Sequence, residues 1–311
     1  MNKRLNMGRH MIAGDLNDDG TVPKRRRTSP YIAALIPLYL VMILLVIGPL
    51  VYTVMLSFAT NVGNGGFSWK LTVENYRRMI DPVYRVTFLK SIQLAFLSTL
   101  LISLIGYPFG YWMSRLSKKW KKIMILLVVI PFGVNSLIRY YGIIILLQSK
   151  GVLNWLLLKL HLIEEPIKFL YNYSTVLAGM VYGLLPFMIL SVYSSAEKID
   201  WTLVEASRDL GATKTEAFFS IIFPLTIPGL FSGVILSFVP SMGLFFVSEI
   251  LGGNKIVLVG SLIQDQMTRG GNWPFAAAIA VLLTIVTSVL LIASARISQL
   301  QGETRKGNNL I

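Results

Sequence analysis

The sequence contains no cysteine, which excludes a disulfide framework, a thiolate metal site and a thiol nucleophile, and leaves the redox compartment unmarked. Histidine occurs only as His10 and His161, too few and too far apart for an imidazole metal cluster, so no metal site is expected. Charge is scarce too: Asp, Glu, Lys and Arg make up 14% of 311 residues. No Gly-Lys dipeptide occurs, so the phosphate-cradling loop of a P-loop ATPase is missing. The long apolar segments hold no histidine and have acids only near their edges, which leaves no nucleophile and base paired at membrane depth. No catalytic residue and no cofactor are expected in this chain.

What the chain has in abundance is apolar surface. Hydrophobic residues make up 54% and the mean hydropathy is +0.63, well above a soluble domain of this length. Six apolar segments, 31–58, 87–113, 123–147, 175–195, 225–247 and 275–295, are long enough to cross a hydrocarbon core of about 30 Å. The first begins some 30 residues in, exceeds a signal-peptide core and precedes no clean cleavage site, so it reads as a retained span. An even number of spans puts both termini on one side. Of the 29 Lys and Arg residues, 18 fall on the side of the termini and 10 on the opposite side, counting Lys90 at the edge of the second span, with Arg139 inside the third. The positive-inside rule therefore predicts a multi-pass membrane protein with both termini cytoplasmic. The division expected is a mostly disordered cytoplasmic tail over 1–30, a transmembrane domain over 31–298 and a polar tail over 299–311. Pro37, Pro49, Pro108, Pro131, Pro186 and Pro240 fall within the spans and predict kinks. Residues 151–162 are too short to cross and predict a helix on the outer interface.

The link 197–224 is polar yet patterned like folded structure. Leu203, Ala206 and Leu210 recur at helical spacing, Thr202 and Glu205 have capping-box spacing, and Gly211 stands where a helix C′ residue belongs. Thr213 and Glu216 repeat the capping signal, and Pro224 and Pro228 are expected to close the second helix at the membrane surface. The prediction is a cytoplasmic helix-turn-helix.

Glu205, Ala206, Ser207, Gly211 and Ile222-Phe223-Pro224 resemble the Glu-Ala-Ala, Gly and Ile-x-Leu-Pro loop of binding-protein-dependent ABC importer permeases, with Ser207 and Phe223 as departures. The resemblance implies an all-α membrane protein with the type I importer (MetI-like) fold and cytoplasmic coupling helices. It also implies that Glu205, Ala206, Ser207, Asp209, Leu210, Gly211, Ala212 and Pro224 couple the spans to a separate ATPase, which binds the ATP and Mg. Over about residues 31–300 the chain is most similar to the B-type membrane subunit of spermidine/putrescine importers. The shared runs include Asp81-Pro82-Val83-Tyr84, Gly106-Tyr107-Pro108-Phe109, Asn135-Ser136-Leu137-Ile138-Arg139, Leu184-Leu185-Pro186-Phe187-Met188, Met242-Gly243-Leu244-Phe245 and Trp273-Pro274-Phe275. That similarity implies a heterodimer with a second permease, two copies of the ATPase and an extracytoplasmic polyamine-binding protein. Another amine, an amino-acid derivative or a metal chelate stands as the alternative cargo.

A flexible polycation needs carboxylates or carbonyls for its ammonium groups and aromatic faces for its methylenes. Glu249, in Phe245-Phe246-Val247-Ser248-Glu249, is the leading candidate, against a helix-end acid paired with Lys255 or Arg269; the family typically has Asp there. Asp265, Asn135, Tyr140, Tyr141, Phe245 and Ser248 complete the candidate path, although the two tyrosines also fit an interfacial belt. Gly133 stands where the family often has tryptophan, which removes one possible cation–π contact. Arg139 would repel a cation unless it snorkels or anchors a carboxylate. Residues 15–20 open like an EF-hand loop, but Arg26 replaces its closing Glu. The basic run 24–27 directly precedes a span and reads as an orientation signal near anionic lipid, not as a nucleic-acid site.

Overall fold

The computed structural model describes residues 30–63, 65–253 and 255–307, without the side chains of 30–36, 38, 293–295 and 297–307. The expected tail over 1–30 therefore lies, but for its last residue, outside the described residues, and with it the calcium-loop-like segment and the basic run. The chain divides into two compact units, Met1–Tyr52 and Thr53–Ile311.

The described part of the first unit is most of helix α1 (Pro30–Ser57), with Pro37 and Pro49 inside it. Its side chains from Tyr39 to Ile47 are apolar and exposed on every side, the character of a helix solvated by lipid.

The second unit begins with the end of α1. A short hairpin follows, β1 (Thr60–Gly63) and antiparallel β2 (Gly66–Ser68), then α2 (Glu74–Arg78). Asn75 donates to the carbonyls of Ser57 and Ala59, both at 2.9 Å, and so satisfies acceptors that α1 leaves open at its end. The remaining helices are α3 (Pro82–Ser114), α4 (Lys118–Gly133), α5 (Ser136–Leu147), α6 (Val152–Lys159), α7 (Tyr173–Ala196), α8 (Trp201–Asp209), α9 (Lys214–Ala217), α10 (Phe223–Gly243), α11 (Phe245–Gly252), α12 (Val259–Thr268) and α13 (Trp273–Gly307). A π turn, Phe218–Ile222, joins α9 to α10.

Among the described residues six stretches are long and apolar enough to cross a membrane: Tyr39–Ser57, Pro82–Ser114, Ser136–Lys159, Tyr173–Ala196, Lys214–Gly243 and Trp273–Ile292. The number agrees with the sequence reading, and three details differ. The expected third span, 123–147, is broken: α4 ends at Gly133, Val134 is extended, and the Asn135 side chain accepts from Leu137 N at 2.9 Å to start α5. Pro131 and Gly133 weaken the helix there, and Asn135 supplies the new cap. The stretch Ser136–Lys159 is also not one helix, because α5 and α6 are separated at Gln148–Gly151, so we assign the third crossing to α4 and α5 together. α6 is tethered through the buried Asn154, which donates to the carbonyls of Gln148 and Ile167 and accepts from Ile167 N. The expected fifth span is likewise interrupted, at Leu244, where α11 departs. Finally, α13 continues to Gly307, into the segment expected as a polar tail.

The core of the bundle is the mutual packing of α3, α7 and α10, made possible by small residues where backbones meet. A Cβ on Gly110 of α3 would stand 2.7 Å from the Ile189 carbonyl of α7, and one on Gly229 of α10 would stand 2.7 Å from the Ser191 carbonyl. Helices in lipid gain little from burying apolar surface against each other, so close approach of this kind carries much of their association. Gly110→Val should destabilise the bundle by about 1–3 kcal/mol through overpacking. The measurement is the thermal unfolding midpoint in detergent, and an unchanged midpoint would contradict the close α3–α7 contact.

Candidate functional site

Two regions carry the residues singled out from the sequence, one at each end of the α3–α7–α10 core. The first is α8 with its flanks. Asp200 caps the helix by accepting from Thr202 N at 3.1 Å and from the Thr202 hydroxyl at 2.8 Å. The expected Thr202–Glu205 capping box is therefore not formed: Asp200 precedes Thr202 and takes the capping position, leaving Thr202 inside the first turn. The far end closes as foreseen. Gly211 has φ +95°, Gly211 N donates to Arg208 O, and Ala212 N donates to Ser207 O, the paired bonds of a Schellman ending. Thr213 and Glu216 form a complete capping box for α9. Pro224, however, does not end that helix. Phe223 N reaches back five residues to Phe218 O, and this shift of register carries the helix past a residue that cannot donate. The second half of the 197–224 link is thus the opening of α10.

One face of α8 is packed and the other is not. Trp201 and Val204 join a buried cluster with Ala196, Ile199, Ile222 and Phe218. Leu203, Ala206 and Leu210, together with Glu205 and Asp209, are exposed, Leu210 to 90%. The apolar spacing read from the sequence therefore marks the outward face, and Glu205 stands beside it. Just before α8, Lys121 of α4 pairs with Glu197 at 3.3 Å. A hydrogen bond from the Tyr193 hydroxyl holds the Glu197 carboxyl below the usual range; partial burial opposes this and Lys121 reinforces it.

The second region is an open cavity of about 1120 Å³ walled by α5, α11 and the segments beside them. Both helix breaks lie in its wall: Asn135, Ser136 and Leu137 come from the α4–α5 break, and Leu244, Phe245 and Phe246 from the α10–α11 break. Interrupted helices at a site are tolerated where irregular backbone lines a cavity instead of lipid. Of the seven candidate path residues, Asn135, Tyr141, Phe245 and Glu249 share this cavity. The other three do not. Tyr140 is buried and donates to the Gly179 carbonyl at 3.2 Å, Ser248 is buried and donates to the Ile256 carbonyl, and Asp265 of α12 pairs with Arg269 at 3.5 Å. Adjacent residues on a helix point about 100° apart, which is why Tyr140 and Tyr141 part company.

Glu249 is exposed and has no cation within 4.0 Å among the described residues; Arg269 is engaged by Asp265, and Lys255 lines the same cavity without pairing. The sequence points to Lys255 only as a partner for Glu249, since its place in the wall depends on how the segment after α11 folds back. Arg139 finds no carboxylate among the described residues. Its guanidinium donates to the Ser136 hydroxyl at 3.2 Å and lies 5.1 Å from the Phe132 ring and 5.9 Å from the Tyr182 ring, with Nε buried and unbonded. Aromatic faces take the place of the expected anion.

Residues 106–299 match the family of binding-protein-dependent transport system inner membrane components. The chain belongs to that family. It is 40% identical over 259 residues to the spermidine/putrescine transport system permease protein PotB of Haemophilus influenzae, spanning 83% of this chain and 91% of that one. It is 43% identical over 244 residues to the protein of the same name from Escherichia coli, spanning 78% and 89%. A bacterial alginate ABC transporter, solved in complex with an alginate pentasaccharide-bound periplasmic protein, contains a chain of the same fold. That chain aligns with TM-score 0.71 at 15% identity, over 86% of this chain and 93% of its own length. As an inner-membrane component of a binding-protein-dependent transport system, this chain is an ABC importer permease with six candidate membrane spans among its described residues.

Because this permease has no cysteine of its own, single-cysteine variants report on its cavity directly. In detergent, Asn135→Cys and Glu249→Cys should react with a hydrophilic maleimide about tenfold faster than Tyr140→Cys and Ser248→Cys, since thiol reactivity follows exposure. Equal rates at all four positions would remove the division between cavity and core.

Proposed function

We propose that this permease imports spermidine and putrescine by alternating access, as one half of a heterodimer with a second permease and driven by two copies of a separate ATPase. An extracytoplasmic binding protein delivers the polyamine to the cavity, and the ATP and Mg are held by the ATPase alone. Identity of 40–43% across most of both chains to permeases named for spermidine/putrescine transport carries this reading. The cavity's chemistry supports it: an unpaired carboxylate on Glu249 for an ammonium, and the rings of Tyr141, Phe245 and Phe246 for the methylenes and charge. Uptake of labelled spermidine and putrescine in a transport-deficient strain tests the cargo, and failure of both to accumulate rejects it.

The α8 end is the coupling site in this reading. Its exposed stripe of Leu203, Ala206 and Leu210 beside Glu205 is an apolar helix face ready for a groove on the ATPase, and the Gly211 turn fixes where α8 points. This end and both termini face the cytoplasm, in keeping with the excess of Lys and Arg there. The functional division is then a transmembrane domain over 31–298 with the coupling segment 197–224 within it.

One observation favours a different cargo. Lys255 and the N-terminal ends of α5 and α11 place positive charge in the same wall as Glu249, an arrangement that suits a zwitterion such as an amino-acid derivative. Competition of that class with spermidine uptake distinguishes the two readings.

Substitutions at two positions test the sites. If Glu249 receives a cation, Glu249→Asp retains most uptake while Glu249→Gln loses about tenfold or more, as expected when a charge-assisted bond is lost; equal uptake in the two removes Glu249 from the path. Gly211→Val places a β-branched residue at φ +95°, at a cost of about 1–3 kcal/mol, and should reduce the ATPase that co-purifies with the permease. Undiminished co-purification would show that the Gly211 turn does not set the docking geometry.

A further inference from the structure

The first residue of α8 and the turns that open α10 are tied to α3 by side chains. Tyr107, Tyr111 and Arg115 recur every four residues and so lie on successive turns along one face of α3 and its C-cap. Each meets an aromatic ring of the α8–α10 segment. The Tyr107 ring is 5.8 Å from Phe223, edge to face, and its hydroxyl is hydrogen-bonded to the Thr226 hydroxyl at 2.8 Å. The Tyr111 ring is 5.7 Å from Phe218, again edge to face. The Arg115 guanidinium lies 3.6 Å from the centroid of Trp201, the first residue of α8. The Lys121–Glu197 pair at 3.3 Å clamps the segment from α4 as well. At its other end α3 accepts, through the Ser91 hydroxyl, a bond from Val259 N at 2.9 Å, which fixes the start of α12. With 33 residues, α3 is about 50 Å long and reaches from one end of the bundle to the other.

From these contacts we infer that the Tyr107–Tyr111–Arg115 stripe is a strut, which makes α3 the member that carries displacement of α8 across the membrane. This inference rests on α8 being the ATPase-docking helix. A flexible link before α8 would let the helix rock without moving the spans; the guanidinium on Trp201 and the buried Ile199 deny it that freedom. Tyr107, Tyr111 and Arg115 are positioning residues in this scheme, since none of them lines the cavity with Glu249.

The test uses the assembled complex in proteoliposomes, with solute import and ATP hydrolysis measured together. Trp201→Leu and Arg115→Met should lower the import per ATP hydrolysed at least about fivefold, the lower end of ordinary coupling strengths, with hydrolysis nearly unchanged. Trp201→Phe and Arg115→Lys, which keep a ring and a cation, should restore the ratio to within about twofold. Arg115→Met guards against misfolding of the Trp201 variant, because Arg115 is exposed. An unchanged ratio in both loss variants overturns the strut, and so does a parallel fall of import and hydrolysis, which would make these residues merely structural. A cargo-independent readout separates this inference from the polyamine assignment. A spin label at Leu89, exposed near the far end of α3, should change its signal on ATP binding in the parent and not in Arg115→Met. A parent that imports no polyamine but shows this change loses the cargo assignment and keeps the strut. A parent that imports polyamine with a label response indifferent to Arg115 loses the strut.

Discussion

In a bilayer a backbone group that loses its partner has no water to turn to, and the shape of this permease follows from how each such loss is made good. Where α4 gives way after Pro131, the Asn135 side chain takes up Leu137 N. Where Pro224 cannot donate, a π turn moves the bonding on by one residue, and the Thr226 hydroxyl donates to the carbonyls of Ile222 and Phe223. Asn172 and Thr175 together close the entry to α7 through Thr175 N and the Phe169 carbonyl. Each repair permits an irregularity, and the irregularities at Asn135 and Leu244 are what open the cavity.

The two ends of the molecule meet different physical demands. At the α8 end the elements are short, multiply capped and tied by rings and charges, which joins them into one piece. At the other end, side chains with few partners face open space: Glu249 and Lys255 share a wall without pairing, and Asn135 and Tyr141 complete it. In the transport cycle proposed above, groups not already satisfied by one another suit a site that must release its cargo.

Much of this was legible in the sequence, to different depths. Six apolar runs of spanning length stood out because lipid imposes a length, and the Gly211 turn and the Thr213–Glu216 box stood out because capping is a local matter of a few residues. Glu249, Asn135, Tyr141 and Phe245 were found as separate candidates, and only the fold shows that they share one cavity. The misses have different causes. Asp200 displaced Thr202 as the cap because two acceptable caps lay two residues apart, and propensity alone does not choose between them. The breaks at Val134 and Leu244 were hidden inside runs that remain apolar throughout. Tyr140 and Ser248 went to the core because neighbours on a helix face different ways, which composition does not record. The contact of Arg115 with Trp201 joins residues 86 positions apart, beyond the reach of any local pattern.

The π turn at Phe218–Ile222 has a consequence for how this region tolerates change in length. A π turn holds one residue more than the α-helix around it, so it acts like an extra tooth in a gear. Removing any one residue between Phe218 and Ile222 would let the helix close into regular α form, a locally favourable repair. It would also turn everything before it by about 100°, the angle one residue subtends. Phe218, Trp201 and the whole of α8 would then mesh with the wrong face of α3. In this stretch a shorter chain makes a better helix and a misplaced α8.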